Sequence, residues 1–301
     1  MLGYELPKRE REEVVARGDY RDTPDIAHLY IPEGIKEIGE NAFRDFNCLV
    51  EVHLPRSLLI ISPSAFAGCK NLTRVTMEYG LVEIGDEAFS SCPSLLGINM
   101  PDTVKRIGEG AFEACAQLSS LKLSESVFMI GASAFAFCFN LTDVSIPDSC
   151  VLLEFSAFFS CFSLEAIKLS SNMGIIDDST FEGCRSLKIV DMPAKLYKIG
   201  RRAFAGCTSL VSVILPFVLR EIGYDAFSGC TGLAKIAIPK GVTSIEDEDV
   251  FSSCDSLKEI SFGGSQERWL DLTHGRGITV VRSDLSVTVP NIICMDLKDE
   301  I

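Results

Sequence analysis

Histidine is scarce in this chain: His28, His53 and His274 are the only three in 301 residues. A general base needs a nucleophile or acid held beside it. Ser57 and Asp45 are the partners one would try for His28 and His53, yet no catalytic motif includes them. The phosphate-cradling glycine loop, the G-x-S-x-G elbow and the H-E-x-x-H metal helix are all missing. The glycine pair in Phe262-Gly263-Gly264-Ser265 lacks the residues that would make it a phosphate loop. Positive charge is also in deficit, with 28 Lys and Arg against 42 Asp and Glu and a net charge of −14. Nucleic acid and anionic membrane both need a clustered basic surface, so neither is an expected partner. No run approaches the roughly 18 apolar residues of a membrane span, so no membrane insertion is expected. The opening MLGYELPKREREEVVARGDY holds no apolar stretch of the secretory kind, which sets the expectation of a cytoplasmic protein. These absences leave no catalytic residue, no cofactor and no metal to propose, and favour a protein that is not an enzyme.

What is abundant is regularity. Phenylalanine returns every 23 residues at Phe43, Phe66, Phe89, Phe112, Phe135, Phe158, Phe181, Phe204 and Phe227, then at Phe251 after a one-residue slip. A period in this range marks a solenoid, in which each repeat buries its apolar face against its neighbours. In one repeat, Phe89, Cys92 and Leu95 stand three residues apart, the spacing of a short helical or 3₁₀ segment with one buried face. Ile98 and Met100 then alternate as the inward residues of a short strand. Pro101 and Asp102 turn the chain, and Val104, Ile107 and Gly108 bring it back to the core. The inward pair recurs from Leu29/Ile31 through Val52/Leu54 to Ile260/Phe262. The expectation is an α/β solenoid with eleven strands in one parallel sheet, and with turns and short helical or 3₁₀ segments on the opposite wall. Residues 28–262 form the solenoid; residues 1–27 and 263–301, the latter with Trp269, are expected to be its N- and C-terminal caps.

The recurring order is Ala-Phe, Cys three residues on, Leu three further, a strand closing in Leu or Met before Pro, then Ile-Gly. It closely resembles the BspA-like leucine-rich repeat family across residues 28–262, as does the end at Phe262 to Leu270 and Val289 to Cys294. The resemblance implies a right-handed leucine-rich-repeat solenoid whose role is contact with other proteins. It also implies an alternative role, adhesion of surface or secreted members to host protein or matrix, which would require export.

Nine of the twelve cysteines occupy one column, from Cys69 and Cys92 to Cys254. Copies in adjacent repeats stack about one strand spacing apart, roughly 4.7–4.9 Å, with parallel Cβ vectors, whereas a disulfide wants converging Cβ atoms about 3.5–4.5 Å apart. A linear ladder does not make a tetrahedral metal site either. Free thiols acting as small hydrophobes are expected, and Cys150 replaces an aliphatic core residue in the same spirit.

Function is sought where repeats disagree. The fifth and sixth copies carry aromatics outside the lattice, Phe128, Phe137, Phe139, Phe155, Phe159 and Phe162, with Met129 beside them. Where Phe137 and Phe139 stand, other copies have mostly small or polar residues. Lateral stacking should gather these seven on the turn wall, as a contact surface for a partner protein or a second copy, or as local packing. The same copies lose the Ile-Gly pair to Leu153-Glu154 and Ile176-Asp177, so the turn there should be irregular.

Overall fold

The structure is a computed structural model that describes residues 4–5, 14–15, 26–274, 278, 280–281 and 287–295. Each 23-residue coil has three walls. The first is a broad parallel ladder, with Leu29 opposite Val52, Val52 opposite Val75 and Ile98 opposite Leu121. The second is a narrow parallel ladder of two-residue strands that sequence reading did not resolve as strands. Glu37–Ile38 pairs with Ile60–Ile61, and the series runs on through Glu83–Ile84, Arg106–Ile107 and Met129–Ile130 to Leu152–Leu153. Their inward residues, Ile38, Ile61, Ile84, Ile107 and Ile130, are fully buried. The flanking stretches carry strands as well: Tyr4–Glu5 and Val14–Val15 extend the two ladders at one end, and Asn291–Cys294 pairs with Glu259–Phe262 at the other.

The third wall corrects an expectation. Except at Phe251, which ends a 3₁₀ helix, the segment around each lattice phenylalanine is a stacked turn and not a helix. Residues two before and two after it adopt left-handed backbone, as in Asn41 (φ 54°) and Asp45 (φ 62°) around Phe43, or Glu87 (φ 54°) and Ser91 (φ 57°) around Phe89. Alternating handedness turns every second N–H along the solenoid axis. Phe43 N–H donates to Ala65 O (2.7 Å) and Asp45 N–H to Ala67 O (2.8 Å) in the next coil, while Ala42 N–H closes a turn on Gly39 O (3.1 Å). Small and turn-forming residues, which tolerate a positive φ, fill most of these positions, with Glu87, Phe137 and Arg202 as exceptions. Three-residue spacing fits a helix and this turn equally well. Among the described residues the helices are a 3₁₀ segment, Glu248–Phe251, and one α-helix, Gln266–Leu272, whose N-cap Ser265 Oγ accepts from Arg268 N–H (3.3 Å).

The core is a column of phenylalanine rings from Phe43 to Phe251, with centroids 5.2–5.9 Å apart. Beside it runs the cysteine column. Each thiol donates to the carbonyl of the preceding coil's phenylalanine at 3.1–3.3 Å, beginning with Cys69 to Phe43 and ending with Cys254 to Phe227. All these cysteines are free, and burial pushes the thiol of Cys138 and its neighbours well above the ordinary range. Chemically they are inert packing atoms that satisfy one turn carbonyl each.

The single eleven-strand sheet is the second correction. The broad ladder comes in three pieces, ending at Ser120–Lys122, resuming over Asp143–Ser145 to Ile189–Asp191, and resuming again at Lys235–Ile238. Between the last two, the coil keeps one bridge, Ile214 to Ala237. Leu121 and Val190, the inward residues beside the openings, are partly exposed. The narrow ladder is open between Leu152–Leu153 and Ile175–Ile176. The openings are staggered, so every neighbouring pair of coils there is held by at least one ladder. A Cβ built on Gly131 would meet Glu109 N at 2.6 Å and Gly108 C at 2.7 Å, so the column of Gly85, Gly108, Gly131, Gly200 and Gly223 permits close approach. Glu154 and Asp177 stand in that column on the two coils between which the ladder parts, whereas Ser62 and Glu246 stand in it with the ladder intact.

Candidate protein-interaction surface

Coils are numbered by their lattice phenylalanine, from Phe43 in coil 1 to Phe251 in coil 10. On the turn wall of coils 5 and 6, four of the non-lattice aromatics meet. Phe137 and Phe159 pack edge to face at 5.3 Å, Phe137 and Phe139 at 6.2 Å, and Phe139 stacks on Phe162 at 4.8 Å. The Arg185 guanidinium of coil 7 lies over the Phe162 ring, 4.6 Å from its centroid, in cation–π geometry. Phe139 is 36% exposed, and Phe137, Phe159 and Phe162 are half-buried, their outer faces reaching solvent.

Phe137 is the unusual member. Its φ is 61°, in a column occupied elsewhere by Asp45, Gly68, Ser91, Ala114, Ser160, Gly183, Gly206, Gly229 and Ser253. Left-handed backbone at a bulky residue costs on the order of 1–3 kcal/mol and persists only when something else imposes it. Here the coil imposes it, because Phe137 N–H must reach Phe159 O (2.8 Å) to continue the wall.

The other three residues are placed differently. Phe128 and Met129 lie at the narrow ladder of coil 5, and Phe155 lies at the turn after the narrow strand of coil 6. Phe128 is 46% exposed and Phe155 51% exposed; neither takes part in the ring contacts of the four-membered cluster. Sequence reading missed their company: Val151, Leu152 and Ile175 are exposed on the same ladder. Leu152 and Ile175 stand in the column where other coils have Glu83, Arg106, Lys198 and Glu221. Had the two-residue strands been recognised, that column change would have found them. Along coil 6, Val151, Leu152, Phe155, Phe159 and Phe162 form an outward apolar series crossing two walls.

Carboxylates bracket the series. In the column of Phe155, Glu109 stands two coils before and Asp178 one coil after; in the column of Phe159 the equivalents are Glu113 and Glu182. On the later side charge is partly answered, with Glu182 paired to Arg202 (2.6 Å) and Asp178 Oδ1 accepting from Arg201 N–H (2.7 Å). On the earlier side Glu87, Glu109 and Glu113 make no ion pair with a described residue. Gly110 leaves a gap between two of them, where an added Cβ would lie 3.3 Å from Glu113 Oε2 and 3.6 Å from Glu87 Cγ. Burial, then Glu87 and Glu109, pushes the Glu113 carboxyl above its usual range.

Two further polar clusters lie outside this surface. On the broad face, Glu51 receives Arg74 at 3.0 Å and lies 3.2 Å from His28 Nδ1 and 3.3 Å from His53 Nε2, with the Tyr30 ring stacked on His53 at 4.3 Å. Burial works to raise Glu51, but hydrogen bonds from Arg74 and His28 outweigh it and hold its carboxyl low. Ser57 is elsewhere, its hydroxyl donating to Ile35 O (2.9 Å), so no nucleophile is set beside either histidine. Among the described residues no group of three or more His, Cys, Asp and Glu is arranged to hold a metal, and no helix is long and apolar enough to cross a membrane.

The other cluster is Asp247, whose carboxylate oxygens are buried without a well-formed hydrogen bond, although the backbone N–H groups of Asp225 and Asp249 lie near. Burial, then Asp249 and Asp225, raises its carboxyl from 3.8 to about 6. The folded state therefore holds this proton more tightly than the unfolded chain, so its contribution turns unfavourable as pH rises from about 4 to 6. Asp247→Asn is expected to raise the melting temperature above pH 6, with the gain fading below pH 4; a gain independent of pH would assign the effect to something other than this carboxyl.

The chain is similar to known proteins on both sequence and fold. The profile of the family described as BspA type leucine rich repeat region matches residues 15–128, 82–197 and 174–269. No curated protein matches the chain. Among solved structures it is similar to a leucine-rich repeat protein from Bacteroides ovatus, with 24% identity over 93% of this chain and 92% of that one and a TM-score of 0.58. A leucine rich cell surface protein from Faecalibacterium prausnitzii is similar at 23% identity, 91% of each chain and a TM-score of 0.54. The pneumococcal vaccine antigen PcpA is similar at 19% identity, 90% of this chain and 80% of that one, with a TM-score of 0.55. At these identities the structural likenesses speak for the parallel solenoid fold.

Proposed function

The chain belongs to the BspA-type leucine-rich repeat family, and we propose that it is a non-enzymatic scaffold that captures another protein on the aromatic surface of coils 5 and 6. The observation that carries this reading is Phe137. A lattice that elsewhere uses small or turn-forming residues at a left-handed position holds a phenylalanine there, with its ring in a partly exposed cluster. Strain of this kind concentrates at functional sites, and exposed aromatics dominate binding hot spots.

The test is the double variant Phe137→Gly with Phe139→Ser. Glycine relieves the left-handed backbone while the ring contacts, worth about 0.5–1.5 kcal/mol per pair, are lost, so stability should stay within about 1–2 kcal/mol of the wild type. Affinity capture from the source organism should lose the partner that the wild type retains. A large drop in melting temperature would make the rings packing, and an unchanged capture profile would remove the surface from the reading. A second reading puts the same surface outside the cell, as an adhesin for host protein or matrix; it draws on the Faecalibacterium relative described as a cell surface protein. Surface labelling of intact cells separates it from a cytoplasmic scaffold.

A further inference from the structure

From the charges that surround the aromatic cluster we infer the kind of partner: a protein segment with apolar side chains for the rings and lysine or arginine for the carboxylates of coils 3 and 4. The inference rests on the reading above that the cluster is an interface. The cluster is flanked along the solenoid axis by acid on both sides, Glu109 and Glu113 before it, Asp178 and Glu182 after it. Glu182 pairs with Arg202 and Asp178 accepts the backbone N–H of Arg201, while Glu87, Glu109 and Glu113 make no ion pair with a described residue. The unanswered acid sets an orientation, with the partner's cations toward coils 3 and 4 and its apolar anchors on Phe137, Phe139 and Phe159.

The same pattern argues against a second copy as occupant. A face-to-face dimer on this wall has its twofold axis in the interface plane. With the axis along the solenoid, coil 4 faces coil 4 and Glu109 and Glu113 meet their own copies. With the axis across it, coil 4 faces coil 7 and the same two residues meet Asp178 and Glu182. The first arrangement sets carboxylate against carboxylate, and like-charge juxtaposition at an interface costs several kcal/mol; the second meets carboxylates already partly answered and is disfavoured less. The net charge of −14 adds to the repulsion.

The experiment measures binding of a fluorescent peptide of alternating lysine, phenylalanine and leucine to the full chain by anisotropy, at about 50 mM salt where surface charge is weakly screened. The probe should bind the wild type and weaken by about fivefold with Glu109→Gln and Glu113→Gln together, the effect of two surface charge contacts. Removing two charges far away, with Glu267→Gln and Asp271→Asn on the terminal helix, should change affinity less than about twofold. Phe137→Gly with Phe139→Ser should abolish binding. If a peptide with glutamine for lysine binds as well, the charge preference is wrong while the aromatic interface stands. Equal losses from the near and remote charge pairs, or unaltered binding by the phenylalanine variant, overturn the placement. A wild-type chain that sediments as a dimer, and becomes monomeric with Phe139→Ser, makes the second copy the occupant. No measurable binding of the cationic probe rejects the proposal outright.

Discussion

Phe112→Ala is expected to lower stability by about 3–5 kcal/mol, the usual cost of truncating a buried phenylalanine. The ring is fully buried and stacks on Phe89 and on Phe135, at 5.3 Å each. Removing it leaves a void bounded by two rings that cannot close on each other, because their coils are held apart by the wall bonds Phe89 N–H to Ala111 O and Phe112 N–H to Ala134 O, both 2.8 Å. Relaxation into the cavity is therefore limited, which places the loss high in the range. In a stack whose stability is a sum of repeat and nearest-neighbour terms, the damage should be local. Hydrogen exchange should quicken in coils 3 to 5 before it does in coils 8 to 10. A loss under about 1 kcal/mol, or exchange that quickens uniformly, would mean that the ring column is not what couples the coils.

Gly131→Val tests the closeness of approach instead of the core. The new Cβ would sit 2.6 Å from Glu109 N and 2.7 Å from Gly108 C, both backbone atoms that cannot swing aside. The coils must part, and overpacking of this kind costs about 1–3 kcal/mol, occasionally more. The parting should strike the narrow ladder where Gly131 N–H donates to Ile107 O (2.9 Å) and where Met129–Ile130 pairs with Arg106–Ile107. The expected result is a lower melting temperature together with faster exchange of the Gly131 amide and unaltered exchange in coils 8 to 10. A variant as stable as the wild type would show that the glycine column does not set the coil spacing.

The two variants separate what each layer of information contributes. The register could be read from residues alone, because identical coils stacked in parallel bury the same side chains at the same place. Phe, Cys and Leu at a fixed period therefore are the core, and their burial follows. The Cys column also set the expectation of free thiols by geometry, before any distance was known, and its nine cysteines are free. The parity of the long strands was legible for the same reason, in pairs such as Ile98/Met100.

The turn wall was not legible as a turn. Whether Phe, Cys and Leu three residues apart ride on a helix or on alternating left-handed turns depends on where each N–H finds its carbonyl, and those partners lie 22 residues away in the next coil. The narrow strands are two residues long, too short to show a period of two, so the exposed row at Leu152 and Ile175 went unseen. The irregular turn at Leu153-Glu154 and Ile176-Asp177 was legible in the residues, but which ladder opens there, and where the broad ladder breaks, a residue list does not display.

For the candidate surface the division is the same. Sequence alone singled out the seven residues from Phe128 to Phe162 by their departure from the lattice. Only the tertiary structure gathered Phe137, Phe139, Phe159 and Phe162 into one cluster, left Phe128, Met129 and Phe155 on or beside another wall, and set at one flank glutamates that make no ion pair with a described residue. Periodicity determines which side chains point inward; which outward ones become neighbours, and in what field of charge, is decided by the path of the backbone between coils.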